Sequence, residues 1–218
     1  MVREGFQKQV GAVEEHVEGM ADLAARMLAD GVRSLQDLDR ALSASVVARR
    51  DELAQMDEDI ETEVLRVLTL QSPVARDLRR MGCAMKLITY LNRVGRYGYD
   101  IAHVVTDWPE GREHVARIVS LPEMAGKVQG MLRLVVDAYA RGEAPDVDAL
   151  MAIEDDVDAM RFGVWRECLT YMAQDGRNIE VCANYMMVAR YLERCGDNVC
   201  KMAEKIHYAA TGERIMLH

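Results

Sequence analysis

Four carboxylates with matched spacing are the residues best placed for chemistry in this chain. Glu193 and Asp197 stand four positions apart, and so do Glu154 and Asp158. On a helix such a pair lies one turn apart on a single face. If the two helices face each other, four acids meet, and they repel unless a cation lies between them. Hard oxygen ligands suit magnesium, calcium, manganese or iron. The competing reading is two solvated helix faces, because a chain with 36 acidic residues contains several such spacings by chance.

Other chemistries find less support. Glu204-x-x-His207 is the single E-x-x-H spacing, whereas a di-iron carboxylate bundle needs two, with two further Glu. There is no phosphate-binding Gly-rich loop, nucleophile elbow, zincin motif or dinucleotide fingerprint. His16, His103, His114, His207 and His218 are scattered and read as surface or satisfied core residues. The five Cys (83, 168, 182, 195 and 200) are odd in number and form no C-x-x-C. That pattern reads as buried, reduced thiols of a cytosolic protein rather than disulfide or zinc ligands. The 15 Met, including Met20, Met186 and Met187, read as core fillers; the alternative for some is an adaptable partner surface.

The elements that would hold these acids are helices. The 218 residues are half apolar, carry four Pro and two Phe, and are rich in Ala, Leu, Met, Glu and Arg. With 27 basic and 36 acidic residues the formal charge is −9, which disfavours a nucleic-acid partner. No apolar run approaches the ~18 residues of a membrane span, and Met1–Phe6 lacks an apolar signal core. The expected location is therefore cytoplasmic, without membrane insertion. Breaker residues at Asp30-Gly31, Gln71–Pro73, Trp108–Gly111, Arg141–Pro145 and Gln174–Gly176 divide the chain into six segments. Apolar residues recur in them at three and four, as at Leu87, Leu91, Val94, Ile101, Val104 and Val105. Ser72 and Pro73 read as the cap and first position of the third helix.

Shifting the chain by 101 residues superimposes its second half on its first. Leu91-Asn92-Arg93-Val94-Gly95 falls on Leu192-Glu193-Arg194-Cys195-Gly196, and ten of 46 pairs between positions 57 and 102 are identical. Roughly three would be expected from average composition. Upstream the match decays, with about ten extra residues in the first copy between Gly31 and Asp57. The expected architecture is all-α: six helices as two tandem, pseudo-symmetric three-helix bundles, 1–108 and 112–212, with a tail at 213–218. The positions matching Glu154, Asp158, Glu193 and Asp197 are Leu53, Asp57, Asn92 and Arg96. Three of four carboxylates are missing there, so a carboxylate metal site belongs to the second repeat. Arg96 is expected to neutralise Asp57 or to pair with Asp100.

Three segments carry a family resemblance. Tyr191-Leu192-Glu193-Arg194-Cys195-Gly196-Asp197-Asn198 is similar to the LERIGD signature of the PhoU family. Leu169-Thr170-Tyr171-Met172 through Arg177-Asn178-Ile179 and Gln71-Ser72-Pro73-Val74-Ala75-Arg76-Asp77-Leu78-Arg79 resemble two further family segments. The resemblance covers essentially the whole chain. It implies a six-helix, two-repeat protein without catalytic activity. It further implies a negative regulator of the phosphate response, working with a phosphate ABC transporter, its ATPase and its sensor histidine kinase at the inner face of the membrane. A homodimer is expected. Family E(D)-x-x-x-D motifs bind metal, which carries over to Glu154, Asp158, Glu193 and Asp197 as a site for iron, magnesium, manganese or zinc. The alternatives are a metal-binding helical protein with storage or oxidative chemistry, and an adaptor of the same fold serving another transporter.

Overall fold

The computed structural model of the chain describes residues 2–70, 74–115 and 120–217. They form six long α-helices: α1 (Val2–Asp37), α2 (Arg40–Leu70), α3 (Ala75–Thr106), α4 (Ser120–Arg141), α5 (Val147–Gln174) and α6 (Ile179–Thr211). A short 3-10 turn, Gly176–Asn178, precedes α6. No strand occurs among the described residues. The periodicity explains the burial. Val10, Val13, Val17, Met20, Ala24, Met27 and Leu28 form one fully buried stripe of α1.

The helix ends follow local chemistry. Leu38 adopts a left-handed φ of 50°, and the Asp39 side chain accepts the N–H groups of Ala41 and Leu42, both at 2.9 Å. Asp146 caps α5 by accepting the Ala149 N–H at 3.0 Å. Asp175 accepts the Arg177 N–H at 2.9 Å, and Asn178 donates to the Tyr171 carbonyl, so the chain turns sharply from α5 into α6. Helix α3 begins at Ala75 with Val74 in the cap position and no side-chain cap. Ser72 and Pro73 lie outside the described residues.

Two sequence expectations need correction. The chain does not break at Asp30-Gly31; α1 continues to Asp37. Gly31 is there for proximity, since a Cβ would stand 2.5 Å from the Gly98 carbonyl oxygen of α3. With the turn at Leu38, the length mismatch before Asp57 shrinks from about ten residues to three, because Leu38 precedes Asp57 by 19 and Gly142 precedes Asp158 by 16. The surplus of the first copy lies in α1, 36 residues against 22 in α4. Met187 is no core filler, being about half exposed on α6, whereas Met20 is fully buried.

Helices α1–α3 and α4–α6 form the two triplets. They join through α3 against α6 and α1 against α4, so buried residues of all six helices make one continuous core. Tyr97 of α3 stacks on Tyr191 of α6 with ring centroids 5.6 Å apart. Helices α2 and α5 lie on the outside. Each buries a narrow seam at seven-residue spacing: Val46, Leu53, Ile60 and Val67 on α2, and Leu150, Val157 and Val164 on α5. The five cysteines are free and buried. No helix is long and apolar enough to cross a membrane among the described residues.

Candidate functional site

The two acid pairs come to one neighbourhood because α5 and α6 run side by side from the turn at Asp175. Glu193 is buried; Glu154, Asp158 and Asp197 are partly so. Burial pushes the Glu154 carboxyl above its ordinary value, and the charges of Asp158, Asp197, Asp155 and Glu193 push it further. Glu193 is raised for the same reasons, burial first and Asp197 next, against the opposing pull of Arg190, Arg161 and Arg194.

Those arginines were not foreseen. Arg190 donates to Glu193 Oε1, while Arg161 Nε and Arg194 Nε each stand 4.0 Å from that carboxylate. Arg194 also donates to Asp197 at 3.1 Å. Glu193 Oε2 and Arg161 Nε are buried without hydrogen-bond partners. The spacing of Arg190, three before Glu193, was a readable signal. Arg161, on the neighbouring helix, was not. Glu193 and Asp197 thus share their surroundings with arginines. Among the described residues no three His, Cys, Asp or Glu side chains converge as metal ligands.

The first repeat is built differently. Leu53 is a seam residue packed over Gly95, where a Cβ would come within 2.4 Å of its Cδ2. Asn92, not Arg96, engages Asp57, donating to Oδ2 at 3.2 Å. Asp57 Oδ1 is buried without a partner. Burial raises the Asp100 carboxyl above its ordinary value, and the charge of Arg96, which stays exposed, only partly opposes that. Arg96 instead faces a cavity of about 600 Å³ between α3, α5 and α6, into which Glu154, Arg194 and Asp197 also project. Glu204 is not a ligand paired with His207. It is buried, accepts from Lys201 at 2.7 Å, and accepts the backbone N–H of Leu217 at 3.0 Å, so it pins the tail.

With this geometry in view, comparison with known proteins is informative. The PhoU domain family matches residues 17–105 and 121–206, one match in each repeat. The chain is 30% identical over 210 residues to the phosphate-specific transport system accessory protein PhoU homolog of Caulobacter vibrioides, covering 96% of this chain and 91% of that relative. The homolog of the same name from Clostridium acetobutylicum is 26% identical, with both chains covered completely. The crystal structure of PhoU from Pseudomonas aeruginosa superimposes with a TM-score of 0.89 at 29% identity, covering 95% of this chain and 100% of that one. The repeat, the six-helix architecture and the match of both halves lead to one conclusion: the chain belongs to the PhoU family.

Proposed function

We propose that this chain is a non-catalytic regulator of phosphate uptake and phosphate-starvation signalling. It acts in the cytoplasm, at the inner face of the membrane, by contact with a phosphate ABC transporter, its ATPase or its sensor histidine kinase. The relatives' name, phosphate-specific transport system accessory protein, supports the transport context. The observation that carries a docking role is on α5. Phe162, Trp165 and Leu169 stand at helical spacing and are 52%, 47% and 48% exposed. Ile179 and Met187 of α6 are similarly exposed. Such large apolar side chains, when grouped, mark protein contact surfaces, and Trp is enriched among the residues that dominate them.

Affinity capture from phosphate-starved and phosphate-replete cells tests this reading. Wild type should retain transporter or kinase subunits, and a Phe162→Ser, Trp165→Ser variant of unchanged melting temperature should lose them. Equal retention by both proteins refutes the α5 surface. Recovery of a different transporter's subunits supports instead an adaptor for that system.

A second reading keeps a divalent or ferric metal ion, such as iron, magnesium, manganese or zinc, at Glu154, Asp158, Glu193 and Asp197. The crowding of acids around Glu154 favours it. The Arg190 contact to Glu193 Oε1 opposes it, and leaves Oε2 as the oxygen open to a cation.

A further inference from the structure

The cavity between α3, α5 and α6 sits where the two repeats meet. Four pairs of repeat-matched positions line it together: Arg93 with Arg194, Arg96 with Asp197, Tyr97 with Asn198, and Asp100 with Lys201. The matched chemistry differs from one side to the other. At 96 and 197 a cation stands opposite an acid, and at 100 and 201 an acid stands opposite a cation, so each wall carries two cations and one acid, and Glu154 of α5 adds a third acid.

The commitments of these groups decide what the cavity lacks. Lys201 is held by Glu204 at 2.7 Å and by the Leu217 carbonyl at 3.3 Å. Asp197 is held by Arg194 at 3.1 Å. Asp100 lies among Arg96, His103 and Arg50. Arg93 and Arg96 are exposed, and neither has a carboxylate within 4.0 Å among the described residues. Arg93 merely lies over the Tyr90 ring, 5.9 Å from its centroid. Arg93 and Arg96 are three apart on α3, so both guanidinium forks project from one face. Tyr90 and Tyr97 line the same wall. A volume of about 600 Å³ is that of a small-molecule site.

We propose that this cavity binds a compact phosphoryl polyanion, its oxygens held by the forks of Arg93 and Arg96 on α3, with Arg194 of α6 closing the opposite side. Guanidinium groups match phosphoryl oxygens two at a time, which a point charge such as ammonium does not. The source is either an inorganic polyphosphate or the phosphate chain of a nucleotide. A bound chain would bridge α3 to α6 and so tie one repeat to the other. The inference does not depend on the docking surface of α5, which lies outside the cavity lining.

The test is titration calorimetry of the full chain with inorganic tripolyphosphate in metal-free buffer. A protein of net charge −9 repels anions in general, so measurable affinity reports a built site. Wild type should bind, and Arg93→Gln with Arg96→Gln should weaken binding at least tenfold. Arg93→Lys with Arg96→Lys, which keeps the charge and removes the forks, should fall between. Arg26→Gln with Arg66→Gln, the same charge change at exposed sites elsewhere, should bind as wild type. ATP binding tenfold tighter than tripolyphosphate assigns the nucleotide as source; equal or weaker binding assigns the inorganic chain. No binding by wild type at millimolar tripolyphosphate, equal loss in both Gln pairs, or citrate binding as tight as tripolyphosphate overturns the proposal.

Discussion

Replacing Gly98 by Ala probes the crossing of α1 and α3. A Cβ at Gly98 would stand 2.6 Å from the Met27 carbonyl carbon and 2.7 Å from the Leu28 nitrogen. These are backbone atoms of a fully buried stretch, since Met27 and Leu28 have no exposed surface. No rotamer change relieves the contact, and one helix has to move from the other. Overpacking of this kind costs about 1–3 kcal/mol, with rigid neighbours placing it at the upper end. Ala in a helix interior recovers about 0.5–1 kcal/mol relative to Gly. The net expectation is a loss of about 2 kcal/mol, or roughly 4–8 °C in melting temperature for a chain of this size. Gly130→Ala on α4 is the control, because nothing lies within 4 Å of its added Cβ. It should hold or raise stability by up to about 1 kcal/mol. Urea unfolding of both variants, followed by circular dichroism at 222 nm, reads the difference. A Gly98→Ala protein as stable as Gly130→Ala would refute the claim that backbone contact sets the α1–α3 distance.

Three further outcomes are expected. Glu154→Gln should stabilise the protein at neutral pH, because the raised carboxyl of Glu154 opposes folding when ionised; the gain should fade as pH drops toward 4.5, where the acid takes its proton in both states. Thermal melts from pH 8 to 4 measure it, and a gain that grows on acidification contradicts the argument. Glu204→Ala should cost about 1–3 kcal/mol and speed tryptic cleavage after Arg214. Burial alone would raise Glu204, but the Lys201 and Leu217 hydrogen bonds outweigh it and hold the carboxyl below its ordinary value. This tail contact is present at neutral pH and is lost as pH falls through that lowered value. For the cation reading, chelator should lower the melting temperature of wild type and leave Glu193→Ala, Asp197→Ala unmoved; a wild type indifferent to chelator and to added iron or magnesium counts against metal at these acids.

The LERIGD-like segment and its 101-residue shadow were readable without coordinates, and so were the six helices, because burial on a helix repeats every three to four residues and repeats leave identities at a fixed offset. Asp30-Gly31 misled because a glycine signals either a turn or a close approach, and the sequence is the same in both cases. The turn fell instead at Leu38, a residue that rarely adopts positive φ. In the same way Met186 and Met187 read alike, yet only the roll of α6 on its neighbours leaves Met187 half exposed.

The candidate site divides along the same line. That Glu154, Asp158, Glu193 and Asp197 share spacing, and that Leu53, Asn92 and Arg96 break it, is a property of residue types at fixed offsets, and the chain alone determines it. Which groups answer those charges depends on contacts between helices. Arg161 reaches Glu193 across the α5–α6 interface, Arg96 turns to a cavity shared with the other repeat, and the Leu217 N–H returns to Glu204. Hydrogen bonds are lost beyond a few ångströms, and charge pairs weaken with distance and screening. Partners separated by tens of residues are therefore decided only when packing of the apolar seams sets how each helix is rolled and how closely it lies to the next.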